Sequence, residues 1–95
     1  MKNISQNLGL CRKAGALVFG FDAVVEAMRK HKAFGVMTTT DISPKTLKEI
    51  RFHADKYNVN VYDIPVNMEE MRAILGKPAG VLAITDEKLL NIFIN

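Results

Sequence analysis

The chain has 95 residues, 48% of them hydrophobic and 24% charged, with a net charge of +3 and a pI near 9.2. That length suits one domain, expected over residues 1–95, and leaves no room for two. No apolar run approaches the roughly 18 residues of a membrane span, and Met1-Lys2-Asn3-Ile4 lacks the apolar stretch of a secretion signal.

Asn3 is placed to cap a first helix over residues 4–14, with Ile4, Leu8 and Cys11 on one face. Arg12 and Lys13 fall in its last turn, where cations suit the helix dipole, and Gly15 ends it. Cys11 is the only cysteine, so neither an intrachain disulfide nor a cysteine-cluster zinc site is available. Its place on an apolar stripe predicts a small buried hydrophobe, and a reducing cytoplasm is the expected location. Ala16-Leu17-Val18-Phe19 is too short for a helix and reads as a strand.

Gly20 opens a second helix, expected over residues 21–31. Phe21, Val24, Val25 and Met28 form its apolar stripe, and Asp22, Glu26, Arg29 and Lys30 its polar face. Ala33 to Thr38 is a nearly continuous apolar run, as in a strand covered on both sides. Ser43-Pro44 starts a third helix with Leu47, Ile50, Ala54 and Tyr57 inward, and Asn58 is a left-handed stop. A strand is expected over Val59-Asn60-Val61-Tyr62. Asn67 to Glu70 is a capping box for a helix that Gly76 and Pro78 end. Val81-Leu82-Ala83-Ile84 reads as a buried strand, and Asp86 caps a last helix carrying Leu89, Leu90 and Phe93. The alternation of elements predicts an α/β fold, a three-layer α/β/α sandwich with a mixed sheet of about four short strands.

No constellation of catalytic residues emerges. Gly15 to Gly20 has the spacing of a phosphate-binding loop, but Phe21-Asp22 stands where Lys-Ser or Lys-Thr is needed. His31 and His53 have no metal-ligand spacing and read as surface residues, and capping accounts for Glu69-Glu70. The expectation is therefore a protein that is not an enzyme, with no catalytic residues, metal, cofactor or small-molecule substrate. The basic balance permits nucleic-acid binding. Lys2, Arg12, Lys13, Lys30, Lys32 and Lys77 would form a basic rim around the Gly20 turn if the loops after Gly15, His31 and Gly76 converge.

The run Leu8-Gly9-Leu10-Cys11-Arg12-Lys13-Ala14-Gly15, Gly20 at a helix start, and Gly76-Lys77-Pro78-Ala79-Gly80 leading into Val81–Asp86 together resemble the kink-turn RNA-binding ribosomal proteins. That family includes archaeal L-seven-Ae, eukaryotic L-thirty and small bacterial relatives, and the resemblance covers nearly the whole chain. It implies a single L-seven-Ae-like α/β/α domain and a structured RNA partner, ribosomal or otherwise. The resemblance implies an RNA site on the helix from Gly20 and the loop of about Ile74 to Gly80, and with the basic rim this makes the expected RNA-binding residues Lys13, Gly20, Phe21, Asp22, Glu26, Lys30, Lys32, Leu75, Gly76, Lys77 and Ala79. Many members carry Gly-x-Asn-Glu-x-x-Lys at the helix start, whereas this chain has Asp22, Ala23 and Glu26 at the three polar positions. A standard kink-turn is therefore expected to bind weakly. The alternative is a protein-interaction module on the same scaffold, with Phe21 as its anchor.

Overall fold

Apolar residues alternate along the inner strands, and each alternate set is covered by its own helices. In the computed structural model, which describes residues 3–94, the order is α1 (Ile4–Lys13), β1 (Leu17–Phe19), α2 (Phe21–Arg29), β2 (Gly35–Thr38), α3 (Pro44–Tyr57), β3 (Val61–Asp63), α4 (Met68–Leu75), β4 (Val81–Ile84) and α5 (Glu87–Ile94). The strands lie in the order β1-β4-β2-β3. β2 and β3 pair in parallel, whereas β4 runs antiparallel to both β1 and β2, so the sheet is mixed.

Met37, Leu82 and Ile84 face one side, where they meet Leu8 and Cys11 of α1, Met71 and Leu75 of α4, and Leu90 and Phe93 of α5. Val36, Val81 and Ala83 face the other, against Val24 and Met28 of α2 and Ile50 and Ala54 of α3. This is the three-layer sandwich. Each large side chain buried in these two layers contributes on the order of 1.5–3 kcal/mol relative to exposure.

Most helix ends follow local chemistry. The Ser43 hydroxyl accepts from the Thr46 N–H at 3.2 Å, with Pro44 in the first turn. Asn67 and Glu70 form the reciprocal capping box, and the Asp86 carboxylate accepts from the Leu89 N–H at 3.1 Å. Gly15 has φ 71°, and the N–H groups of Gly15 and Ala16 return to the carbonyls of Arg12 and Cys11. Asn3 departs from expectation: it is left-handed at φ 49° and caps through no side-chain bond, its carbonyl instead accepting from Asn7.

Two boundaries shift for a common reason. α2 ends at Arg29 because His31 is itself left-handed at φ 58°, with the Lys32 N–H returning to the Ala27 carbonyl. β3 begins at Val61 because the Val59 N–H still bonds to the Ala54 carbonyl at 2.8 Å. In both places the closing bonds of a helix set where the regular element stops or the next one starts.

Candidate nucleic-acid interface

The register places three chain segments at one end of the sheet. Phe19 pairs with Leu82 and Thr38 with Val81, so the exits of β1 and β2 lie beside the entrance of β4. Backbone bonds tie them: the Gly20 N–H donates to the Val81 carbonyl at 3.1 Å, and the Thr39 N–H to the Gly80 carbonyl at 3.0 Å. Between these segments is a groove of about 400 Å³. Phe19, Gly20 and Phe21 line one part of it, Ile42, Ser43 and Thr46 another, and Lys77, Pro78, Ala79, Gly80 and Val81 a third, with Met68 also present.

α2 begins at this groove with its first turn uncapped. Gly20 has φ 88° and ψ 160°, and no side chain accepts from the first amides. α3, α4 and α5 have side-chain acceptors at their N-termini, from Ser43, Asn67 and Asp86 respectively. An uncapped helix start directs N–H groups and the positive end of the dipole outward, toward an anion. Lys77 adds a full positive charge: its Nζ lies 5.8 Å from the Phe19 ring centroid, and among the described residues it belongs to no ion pair.

The expected residues divide. Gly20, Phe21, Lys77 and Ala79 line the groove, Ala79 with its side chain buried. Asp22 is exposed in the first turn of α2. Gly76, at φ 78°, lies beside the Arg12 guanidinium. Leu75 is not available as a surface contact, because its side chain is 2% exposed and belongs to the α4 face of the core.

The single basic rim does not form. Lys30 follows α2, about 13 Å along the helix axis from Phe21 at 1.5 Å per residue. Lys32 leads toward Gly35, which pairs with Ile84 at the far end of β4. Lys13 closes α1 before the turn that feeds Leu17, also opposite Ile84. Lysines 13, 30 and 32 thus belong to the other end of the sheet, whereas Lys77 is at the groove; Lys2 lies outside the described residues.

Glu26 does not face the groove as a bare anion. It pairs with the Arg29 guanidinium and with Lys30 Nζ at 3.3 Å, both toward the C-terminal end of the helix. The Arg29 hydrogen bond leads in holding its carboxyl below the ordinary value. His53 is half-buried rather than a free surface residue: its ring stands edge-on to Phe21 at 6.0 Å and to Phe52 at 5.5 Å, and its Nδ1 is buried without a hydrogen-bond partner. Sequence patterning missed the contribution of Ile42, Ser43, Thr46 and Met68, whose signal was only that of helix starts and loops. Among the described residues no helix is long and apolar enough to cross a membrane, and no group of His, Cys, Asp and Glu could hold a metal ion.

Comparison with known proteins bears on this geometry. A sequence model described as Ribosomal protein L7Ae/L30e/S12e/Gadd45 family matches residues 2–94. A Bacillus subtilis (strain 168) relative named RNA-binding protein YlxQ is 36% identical, with 93% of this chain and 88% of that protein covered. A protein of the same name from Enterococcus faecium is 29% identical, covering 83% and 76%. A Bacillus halodurans protein of unknown function superposes with a TM-score of 0.84 at 22% identity, over 100% of both chains. The Giardia lamblia 15.5kD RNA binding protein superposes with a TM-score of 0.79 at 15% identity, over 96% of this chain and 78% of that one.

Proposed function

The chain belongs to the L7Ae/L30e/S12e/Gadd45 family of ribosomal proteins, and from that premise we propose that it is a non-enzymatic, cytoplasmic RNA-binding protein that grips a structured RNA, of the ribosome or of another ribonucleoprotein, at the Gly20 groove. The observation that carries this reading is the uncapped start of α2 opening on the same groove as Lys77, which has no ion-pair partner among the described residues. Backbone amides and a lysine then meet phosphate. Two relatives named RNA-binding proteins support the assignment of an RNA partner.

The protein-module alternative is the weaker of the two. Phe21 is half-buried and stands against His53, so it is packed in place as a bridge from α2 to α3 rather than extended as a free anchor.

Photocrosslinking in cells, with sequencing of the recovered RNA and mass mapping of the crosslinked peptides, tests the proposal. The expected result is a structured RNA crosslinked at Gly20–Asp22 and Lys77–Gly80. Recovery of protein partners without RNA would overturn it.

A further inference from the structure

A second groove of about 400 Å³ lies on the outer face of α3, lined by Lys45, Lys48, Glu49, Phe52 and His53. Phe52 is 66% exposed, the most exposed of the large hydrophobic side chains among the described residues. Lys45, Lys48 and Phe52 recur at i, i+3 and i+7, which places them along one helix face. Neither lysine belongs to an ion pair among the described residues.

This groove adjoins the first, since Phe21 of the first stands edge-on to His53 of the second. Ser43 and Thr46, at the start of α3, line the Gly20 groove, whereas Lys45, between them in the same turn, and Lys48 line the second. A chain of rings spans the same interval, from Phe21 to His53 at 6.0 Å and from His53 to Phe52 at 5.5 Å. The His53 edge contact presets the Phe52 ring, which reduces the ordering cost when a ligand lands on it.

We propose that the α3 face is a stacking platform for single-stranded RNA leaving the Gly20 groove, with a base on the Phe52 ring and the flanking phosphates on Lys45 and Lys48. An exposed aromatic beside lysines is the composition of a strand-binding surface, where stacking and phosphate contacts act together. A protein interface would deplete its centre of lysine, whereas here two lysines border the ring with one carboxylate, Glu49. The platform rests on the Gly20 groove being the RNA site, and the test separates the two.

The chain has no tryptophan, so Phe52→Trp introduces a single indole that reports stacking by its fluorescence. The probes are a kink-turn hairpin with blunt ends and the same hairpin extended by six uridines at its 5′ or its 3′ end. One extension is expected to quench the indole and to raise wild-type affinity by at least about fivefold, the lower end of what one stacked base contributes. Phe52→Ala and Lys45→Ala/Lys48→Ala are expected to abolish that gain and to leave blunt-hairpin affinity within about twofold. The unchanged thermal melt of Phe52→Ala, at a largely exposed position, verifies that it folds. Blunt-hairpin binding with no gain and no quenching from either extension overturns the platform and leaves the groove reading standing. The titrations run to near-millimolar protein, because a standard kink-turn is expected to bind weakly; no binding of either hairpin even there removes the groove reading, and the platform with it. A copurifying protein lost from Phe52→Ala, with both hairpins bound as before, overturns the platform in favour of a protein surface.

Discussion

Lys77 holds its ammonium 5.8 Å from the centroid of the Phe19 ring, at the wall of the groove where α2 begins. A cation–π contact at an exposed site contributes about 0.5–1 kcal/mol, enough to bias the lysine toward the groove and too little to neutralise it. Lys77→Ala is expected to weaken RNA binding and to reduce the slope of log affinity against log salt by about 0.7–0.9, the value of one phosphate contact. Lys77→Arg, which keeps both charge and ring contact, should retain the slope. Titrations at several salt concentrations measure this, and an unchanged slope for Lys77→Ala would remove Lys77 from the interface.

Gly20 occupies φ 88°, ψ 160°, a region open to glycine and strained for other residues. Space is not the obstacle, since a Cβ there would meet nothing within 4 Å. Gly20→Ala is therefore expected to destabilise by about 1–3 kcal/mol through the backbone alone. For a domain of this size that lowers the melting temperature by about 4–8 °C per kcal/mol. Gly20→Ser should fare no better despite serine's preference for helix starts, because it carries the same Cβ. A melt of either variant equal to wild type would contradict the strain.

Asp22 and Ala23 are exposed in the first turn of α2, in place of the Asn-Glu of the kink-turn pattern. A standard kink-turn RNA should bind weakly to the unmodified protein. Asp22→Asn with Ala23→Glu is expected to strengthen it by at least about tenfold, or about 1.4 kcal/mol. Adding Glu26→Lys should contribute less than charge alone suggests, because Glu26 already pairs with Arg29 and Lys30. That third change sets three cations on one helix face and should lower the melting temperature. Titration of each variant with one kink-turn RNA and a duplex control decides the matter. Tight binding by the unmodified protein would refute the idea.

Cys11 is fully buried and unpaired, and burial first, with the Asp86 charge second, raises its thiol pKa above the ordinary 9.0. The folded protein keeps the proton when the unfolded chain has lost it. Stability from this group is thus complete below about pH 9 and is lost as pH rises toward the folded value. Cys11→Ala should be less stable at neutral pH yet fall less steeply as pH rises above about 9. Thiol labelling of the native protein should also be far slower than in denaturant. Equal labelling rates, or parallel alkaline slopes for the two proteins, would place Cys11 at the surface.

The sequence by itself determined what depends on neighbours a few residues apart. Apolar spacing in α2, the Ser43, Asn67 and Asp86 caps, and the left-handed stops at Gly15 and Asn58 are all settled by bonds that close within one or two turns. The run Val81–Ile84 was legible as a strand covered on both faces for the same reason. Strand order is different, because it depends on which apolar faces match across the whole chain. Placing β4 between β1 and β2 brings Gly80 and Lys77 against Gly20, though some sixty residues separate them in sequence. The same order sends Lys30 and Lys32 to the opposite end and, among the described residues, leaves only Lys77 of the expected lysines at the groove. Side-chain direction was equally hidden. Leu75 turns into the core, and His53 fits between Phe21 and Phe52. Each of these is chosen by contacts that exist only once the helices have docked, where burial and ring packing outweigh the weak preferences of any single segment.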